Sequence, residues 1–293
     1  MADGVDQYEP GFKQCDEPLD LRLPSIVSRL GISSWKELQK DANWPVVENY
    51  FQGLCDGRYR FLNPSPFVPN YKPVTNRLLA KILHGGEGQI ARLAESCNAR
   101  VVLLLRHPIP VSLSREVYPR LDAFLESDYS NYFSPDELDY GRHILRSGSD
   151  LEKGVLDWSL QNAVPLRSVQ EDWLVISYEE LVLRPGPVIG RLADSLALRD
   201  QHRLEVNLAK PSATVRKSDA ATIAMFDDGR AERDPWWLVT RWREKVDEDE
   251  ERRLMEIPAR FGIDCYRFGE ALPLPPVWMG EELPALARGE APD

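Results

Sequence analysis

The sequence predicts an α/β fold: a mostly parallel sheet flanked by helices in a three-layer arrangement. Two apolar runs and the helical stretches around them carry that expectation. Val101-Val102-Leu103-Leu104-Leu105 is the first run, with Arg100 before it and Arg106 after it. A short apolar run bounded by charge on each side has the pattern of a strand buried on both faces, which is the habit of parallel sheets. The second run, Trp173-Leu174-Val175-Ile176, reaches Ser177 and turns at Tyr178 into a helical stretch. Helical patterns precede, separate and follow the two runs. The clearest start is Ser134-Pro135-Asp136-Glu137, with a Ser cap, Pro at the first helical position and acid in the first turn.

The other elements follow in order. Tyr8-Glu9-Pro10 and Asp16-Glu17-Pro18-Leu19 read as acidic turns. Leu21 to Leu30 fits a helix, Ser33 or Ser34 caps another through Trp35, Leu38 and Ala42, and Val46 to Leu54 fits a third. The prolines from Asn63-Pro64-Ser65-Pro66 to Lys72-Pro73 make a loop. Val74 to Leu83 fits a strand or a helix, and Gly85-Gly86-Glu87-Gly88 reads as a loop. Ile90 to Glu95 is helical and leads to the first apolar run. His107-Pro108 and Pro110 stop that strand, and a helix is expected from about Val111. Arg115 to Leu125 continues with Val117, Leu121, Phe124 and Leu125 on one side. Residues 150–166 form a helix with Leu151, Val155, Trp158 and Leu160 to Ala163 inward, and the helix that opens at Tyr178 is expected to run past Pro185-Gly186-Pro187 into Val188 to Leu198. Asp247-Glu248-Asp249-Glu250-Glu251 opens a last helix, with Leu254, Ile257 and Phe261 on its apolar side and Gly262 at its end. One domain is expected over 1–275, and an irregular tail over 276–293.

Composition narrows the function. The chain has 293 residues with 43% hydrophobic and 28% charged content, ordinary for a globular protein. Forty-seven acidic against 36 basic residues leave a net charge of −11. That balance argues against a nucleic-acid partner, yet it permits a local basic pocket for a small anion. No apolar run approaches the roughly 18 residues of a membrane span, and no secretory leader pattern opens the sequence. A cytoplasmic protein without a membrane partner is expected. Cys15, Cys55, Cys97 and Cys265 are scattered, without a C-x-x-C pair. Reduced thiols and no metal site are expected.

Arg106 stands at the carboxyl end of the central strand. Ligands of open α/β sheets bind at that rim, and a helix N-terminus there attracts anions. Arg106, Ser112 and Ser114 are therefore placed to hold a phosphate through a guanidinium fork, hydroxyls and backbone N–H groups. An arginine at a strand end also serves as a plain ion-pair residue.

Arg106-x-Pro108 after an apolar strand, with Ser114 eight residues past the arginine, resembles the 3′-phosphate-binding motif of one enzyme family. These are the sulfotransferases that use 3′-phosphoadenosine 5′-phosphosulfate (PAPS). Four further stretches share the likeness. Tyr178-Glu179-Glu180-Leu181 followed by Pro185 resembles the family's Tyr-Glu-x-Leu beside the adenine. Arg216-Lys217-Ser218 resembles its Arg-Lys-Gly loop, with Ser for Gly. Trp158 and Asn162 resemble a Trp-x-x-x-Asn pair. Trp236 to Tyr266, with Gly262-x-x-x-Tyr266, resembles the C-terminal end of bacterial members. The likeness covers roughly 74–268.

The resemblance implies a P-loop nucleotide-kinase-like sulfotransferase fold. It also implies transfer of a sulfuryl group from PAPS to a hydroxyl, or an amine, of a small acceptor, leaving 3′,5′-ADP (PAP). Arg106, Ser112, Ser114, Arg216 and Lys217 would hold the 3′-phosphate and Tyr178 the adenosine. The general base would be His84, which lies 22 residues before Arg106, or Glu17 of the Glu17-Pro18 pair. Lys81 would offset charge on the sulfuryl oxygens. The family's Gly/Ser/Thr-rich phosphate loop has no counterpart in residues 1 to 60. Either the chain begins downstream of that loop or it is a divergent member. The alternative function is a non-catalytic, sulfotransferase-like binding or interaction module. A kinase acting on ATP would need a Walker lysine, which the sequence lacks.

Overall fold

In a computed structural model of the protein, four described strands pair two by two, and both ladders are parallel. The structure describes residues 12–16, 18–59, 77–82, 85–114, 120–199, 201–208, 234–275 and 277. Strand β1 (Phe12–Asp16) lies beside β2 (Arg77–Lys81), in register from Phe12 opposite Arg77 to Asp16 opposite Lys81. Strand β3 (Val102–Leu105) lies beside β4 (Leu174–Ser177), from Val102 opposite Leu174 to Leu105 opposite Ser177. Among the described residues the two pairs share no ladder. The α/β class stands at this level: a mostly helical protein with small parallel sheets.

Helices fill the connections that parallel strands require. Between β1 and β2 come α1 (Pro24–Leu30), α2 (Trp35–Leu38) and α3 (Trp44–Cys55). Between β2 and β3 comes α4 (Ile90–Cys97). Between β3 and β4 run α5 (Pro108–Leu113), α6 (Leu121–Glu126), α7 (Pro135–Ser147) and α8 (Asp150–Arg167). After β4 come α9 (Tyr178–Leu183), α10 (Pro185–Leu196), α11 (Gln201–Leu208), α12 (Pro235–Thr240) and α13 (Glu248–Arg260). Local chemistry sets several starts. Ser134 and Ser149 each close a full capping box, with Glu137 and Glu152. Asp247 caps α13 by accepting from the Glu250 N–H. Gly262, at φ 70°, follows α13 in the left-handed region that glycine adopts most readily.

Four local expectations need correction and one open alternative closes; the helix expected from Tyr178 to Leu198 is two, broken at Arg184 ahead of Pro185. Asp16, expected to open an acidic turn, is instead the last residue of strand β1. Its few residues carry no apolar run, so the pairing with β2, rather than intrinsic pattern, decides it. Val74 to Leu83 resolves as strand over Arg77–Lys81. Helix α5 starts at Pro108, three residues before the expected position, because Pro108 has the φ a first helical residue needs. Strand β3 is not buried on both faces: Leu105 is 1% exposed but Leu104 is 47% exposed. Val277, just past the expected domain boundary, is buried in the main core.

Of four apolar clusters among the described residues, two hold most of the core. The larger is built around α8 and takes in Leu105, Ile109, Phe124, Leu156, Ile257 and Phe261. The smaller joins Leu19, Leu38, Trp44, Val47, Phe51 and Leu93. A buried charge cluster ties the elements that carry them. The Arg120 guanidinium, 2% exposed, lies 3.7 Å from Glu87 and 3.5 Å from Asp157. Glu87 also accepts from the Gln39 side chain at 2.9 Å. Arg77 at the start of β2 donates to the carbonyls of Leu196 and Ala197, where α10 ends. That contact uses a cation to satisfy helix-end carbonyls and links the first strand pair to the helix after the second.

Candidate functional site

The carboxyl ends of β3 and β4 lie side by side, because Leu105 is opposite Ser177 in the parallel register. The next residue on each strand is Arg106 and Tyr178. Their side chains meet: the Arg106 guanidinium carbon lies 4.2 Å from the centre of the Tyr178 ring. Such a contact attracts a cation to the ring's negative face and fixes the orientation of the guanidinium plane. Among the described residues Arg106 makes no salt bridge, and its buried Nε has no hydrogen-bond partner. A planar, oriented cation with an unused buried donor at a sheet's carboxyl rim fits an anionic group.

A carboxylate holds the backbone around this pair. Glu179, 1% exposed, accepts from the His107 backbone N–H at 2.8 Å through one oxygen. Its other oxygen accepts from the Tyr266 hydroxyl at 2.9 Å. One side chain on α9 thus anchors the turn after β3 and the segment after α13. Burial holds the Glu179 carboxyl above its usual range, although both hydrogen bonds and the Arg106 cation favour its charge. Two of the resembling stretches, Tyr178-Glu179 and Gly262-x-x-x-Tyr266, therefore touch at Glu179. Reading them separately missed that contact. The signal available in the sequence was one acid and one tyrosine, each next to an apolar segment.

His107 supports the rim from below. It is fully buried, stacked 4.6 Å from Trp242 and edge-on 5.2 Å from Tyr266. Its Nδ1 accepts from the Ile109 N–H at 3.3 Å, capping α5. Burial, and then the Arg243 and Arg106 cations, lower its pKa to about 3. It is therefore a neutral ring, which matches its expected part in shaping the turn. Arg243 donates to the Gly269 carbonyl at 2.6 Å and adds positive potential near the rim. Sequence reading had given Arg243 no role.

The other expected residues fare differently. The Ser112 hydroxyl donates to the Pro108 carbonyl and the Ser114 hydroxyl to the Val111 carbonyl, each at 2.8 Å. Both protons are spent inside α5. The first turn of α5 also offers an anion little: Pro108 and Pro110 have no N–H, the His107 N–H serves Glu179, and the Ile109 N–H serves His107. This corrects the expectation of a helix N-terminus open for phosphate. Lys81 is exposed at the carboxyl end of β2. His84, Glu17, Arg216 and Lys217 lie outside the described residues. Trp158 is a core residue, 4% exposed, and Asn162 donates to its carbonyl at 2.7 Å within α8. Among the described residues no cluster of His, Cys, Asp and Glu has the makings of a metal site. No described helix is long and apolar enough to cross a membrane.

No family model, curated protein or solved structure matches this chain.

Proposed function

We propose that the protein is a PAPS-dependent sulfotransferase whose Arg106–Tyr178 pair receives the adenosine 3′-phosphate end of the donor. The observation that carries this reading is the oriented Arg106 cation, without a salt bridge among the described residues, beside an aromatic ring at the carboxyl rim of two parallel strands. A guanidinium can meet a phosphate with two parallel N–H donors, and a tyrosine ring offers a face to a purine. The order of the sequence motifs supports the same assignment. In it Arg216 and Lys217 add charge over the 3′-phosphate, Ser112 and Ser114 brace α5 behind Arg106 without donating to the phosphate, and Lys81 offsets charge on the transferred group. His84 or Glu17 takes the acceptor proton.

The donor supplies a sulfuryl group on a phosphate leaving group; the acceptor oxygen bonds to sulfur as the sulfur–phosphate oxygen bond breaks. Such transfers depend mainly on positioning and charge stabilisation. The chain's contribution is to hold the nucleotide end rigidly. Glu179, His107 and Tyr266 serve that by locking the Arg106 turn.

A second reading, a non-catalytic binding module of the same ancestry, has its own support. The α5 N–H groups and both serine hydroxyls are used internally, and no glycine-rich phosphate cradle occurs in residues 1 to 60. A transfer assay separates the two. The protein is incubated with PAPS and a panel of phenol, alcohol and amine acceptors, and 3′,5′-ADP formation is followed. The enzyme reading expects acceptor-dependent turnover that Arg106→Ala lowers at least tenfold. Turnover absent with every acceptor, with nucleotide binding intact, favours the module.

A further inference from the structure

Helices α3 and α4 lie against one another and run in the same direction, and two contacts at different heights fix their register. Near their middles Arg92 grips Glu48 through two parallel hydrogen bonds, each 2.7 Å long. Further along, both helices end on a cysteine: Cys55 is the last residue of α3 and Cys97 the last of α4. The two side chains meet at these ends, where Cys55 is the strongest influence on the Cys97 thiol. The Ser96 hydroxyl lies 3.8 Å from the Cys97 sulfur as a further polar neighbour. Neither sulfur is sealed in the core: Cys55 is exposed and Cys97 is half-buried. The scattered spacing in the sequence hid this pair, because β2 and most of α4 stand between the two cysteines along the chain.

We propose that Cys97 is a peroxide-reactive thiol and Cys55 its resolving partner, so that the two form a reversible disulfide across the ends of α3 and α4. The Cys97 thiolate attacks one oxygen of a hydroperoxide, breaking the O–O bond. Cys97 becomes a sulfenic acid, and hydroxide, or alkoxide from an organic peroxide, leaves and takes a proton. Cys55 then attacks the sulfenic sulfur, the S–O bond breaks, and water leaves with the Cys55 proton. Two electrons pass from the two sulfurs to the peroxide, and thiols reverse the step by exchange.

Electrostatics favour the same assignment. The Cys55 and Ser96 hydrogen bonds bring the Cys97 thiol down to about 7, so much of it is thiolate near neutrality. Cys265 is the opposite case. Burial pushes it up to about 12, which keeps it protonated and inert.

The test treats the full chain with about one equivalent of hydrogen peroxide and maps its cysteines without reduction. The expected product has lost about 2 Da, links the Cys55 and Cys97 peptides, and returns to free thiols with dithiothreitol. Cys97→Ser should react at least tenfold more slowly. Cys55→Ser should stop at a sulfenic acid on Cys97 that dimedone traps. Alkylation of Cys97 in the unaltered protein should be half-maximal near pH 7, and Cys55→Ala, which leaves no donor, should move that midpoint upward. This last readout needs no oxidation and leaves the fold unstressed. Free thiols after peroxide, a disulfide through Cys15 or Cys265, or Cys97→Ser reacting as fast as the parent would each overturn the proposal.

Discussion

The neutral, buried ring of His107 makes a quantitative claim about acid stability. Its pKa is lowered to about 3 in the folded protein, against an ordinary value of 6.5. Between those values the unfolded chain binds a proton that the folded chain refuses. Stability from this group is therefore complete above about pH 6.5 and falls as pH drops, by about 1.4 kcal/mol per pH unit. At about pH 5 the unfolded imidazole is almost wholly protonated and the folded one is not, so the loss relative to about pH 7.5 is about 2 kcal/mol. His107→Gln keeps an acceptor for the Ile109 N–H but has no proton to gain. Urea unfolding of parent and variant at the two pH values isolates the imidazole as a double difference, in which other titrating groups cancel. The parent should lose about 2 kcal/mol more than His107→Gln across the interval. Equal losses would show that the ring can protonate in place, and the description of the turn beneath Arg106 would be wrong.

Glu179 titrates in the opposite sense. Its carboxyl is raised above 4.5 by burial, so folding favours the protonated form and its contribution declines as pH rises from 4.5 through the raised folded value. Glu179→Gln should remove that decline, which pH-resolved unfolding would reveal as a shallower curve in the window. Arg120→Met removes the cation between the buried Glu87 and Asp157 carboxylates and should cost about 3–5 kcal/mol in denaturant unfolding. Leu156, fully buried beside α8's partners, should cost about 2–5 kcal/mol when changed to Ala. Tyr178→Ala removes the ring under the guanidinium and should weaken 3′,5′-ADP binding about three- to tenfold by titration calorimetry.

Much of the rim could be read from local pattern. The β3 and β4 runs are short, apolar and bounded, so period and length suffice to find them, and the residue following each run falls at the carboxyl rim by geometry alone. Their parallel pairing then brings Arg106 and Tyr178 together although 72 positions separate them. What could not be read is how the polar groups of the turn are spent. Ser112 and Ser114 look available in sequence, but a hydroxyl inside a helix readily donates to a carbonyl a turn earlier. Glu179 looks like a surface acid opening a helix, and only the packing of Tyr266 and the β3 turn against it makes it internal. Strand β1 escaped because Phe12-Lys13-Gln14-Cys15-Asp16 neither alternates nor holds an apolar run, and partner strands rather than propensity decide such segments. The thiol pair escaped for the same reason: proximity across a helix interface leaves no mark on sequence spacing.

The central claim is that the Arg106 cation and the Tyr178 ring together receive a nucleotide bearing a 3′-phosphate. Titration calorimetry with 3′,5′-ADP, with 5′-AMP as the control lacking that phosphate, tests it most directly. The account predicts a preference for 3′,5′-ADP that Arg106→Ala weakens by more than about 1.4 kcal/mol, a tenfold loss. Absence of heat at millimolar 3′,5′-ADP, or equal affinity in Arg106→Ala, would contradict it.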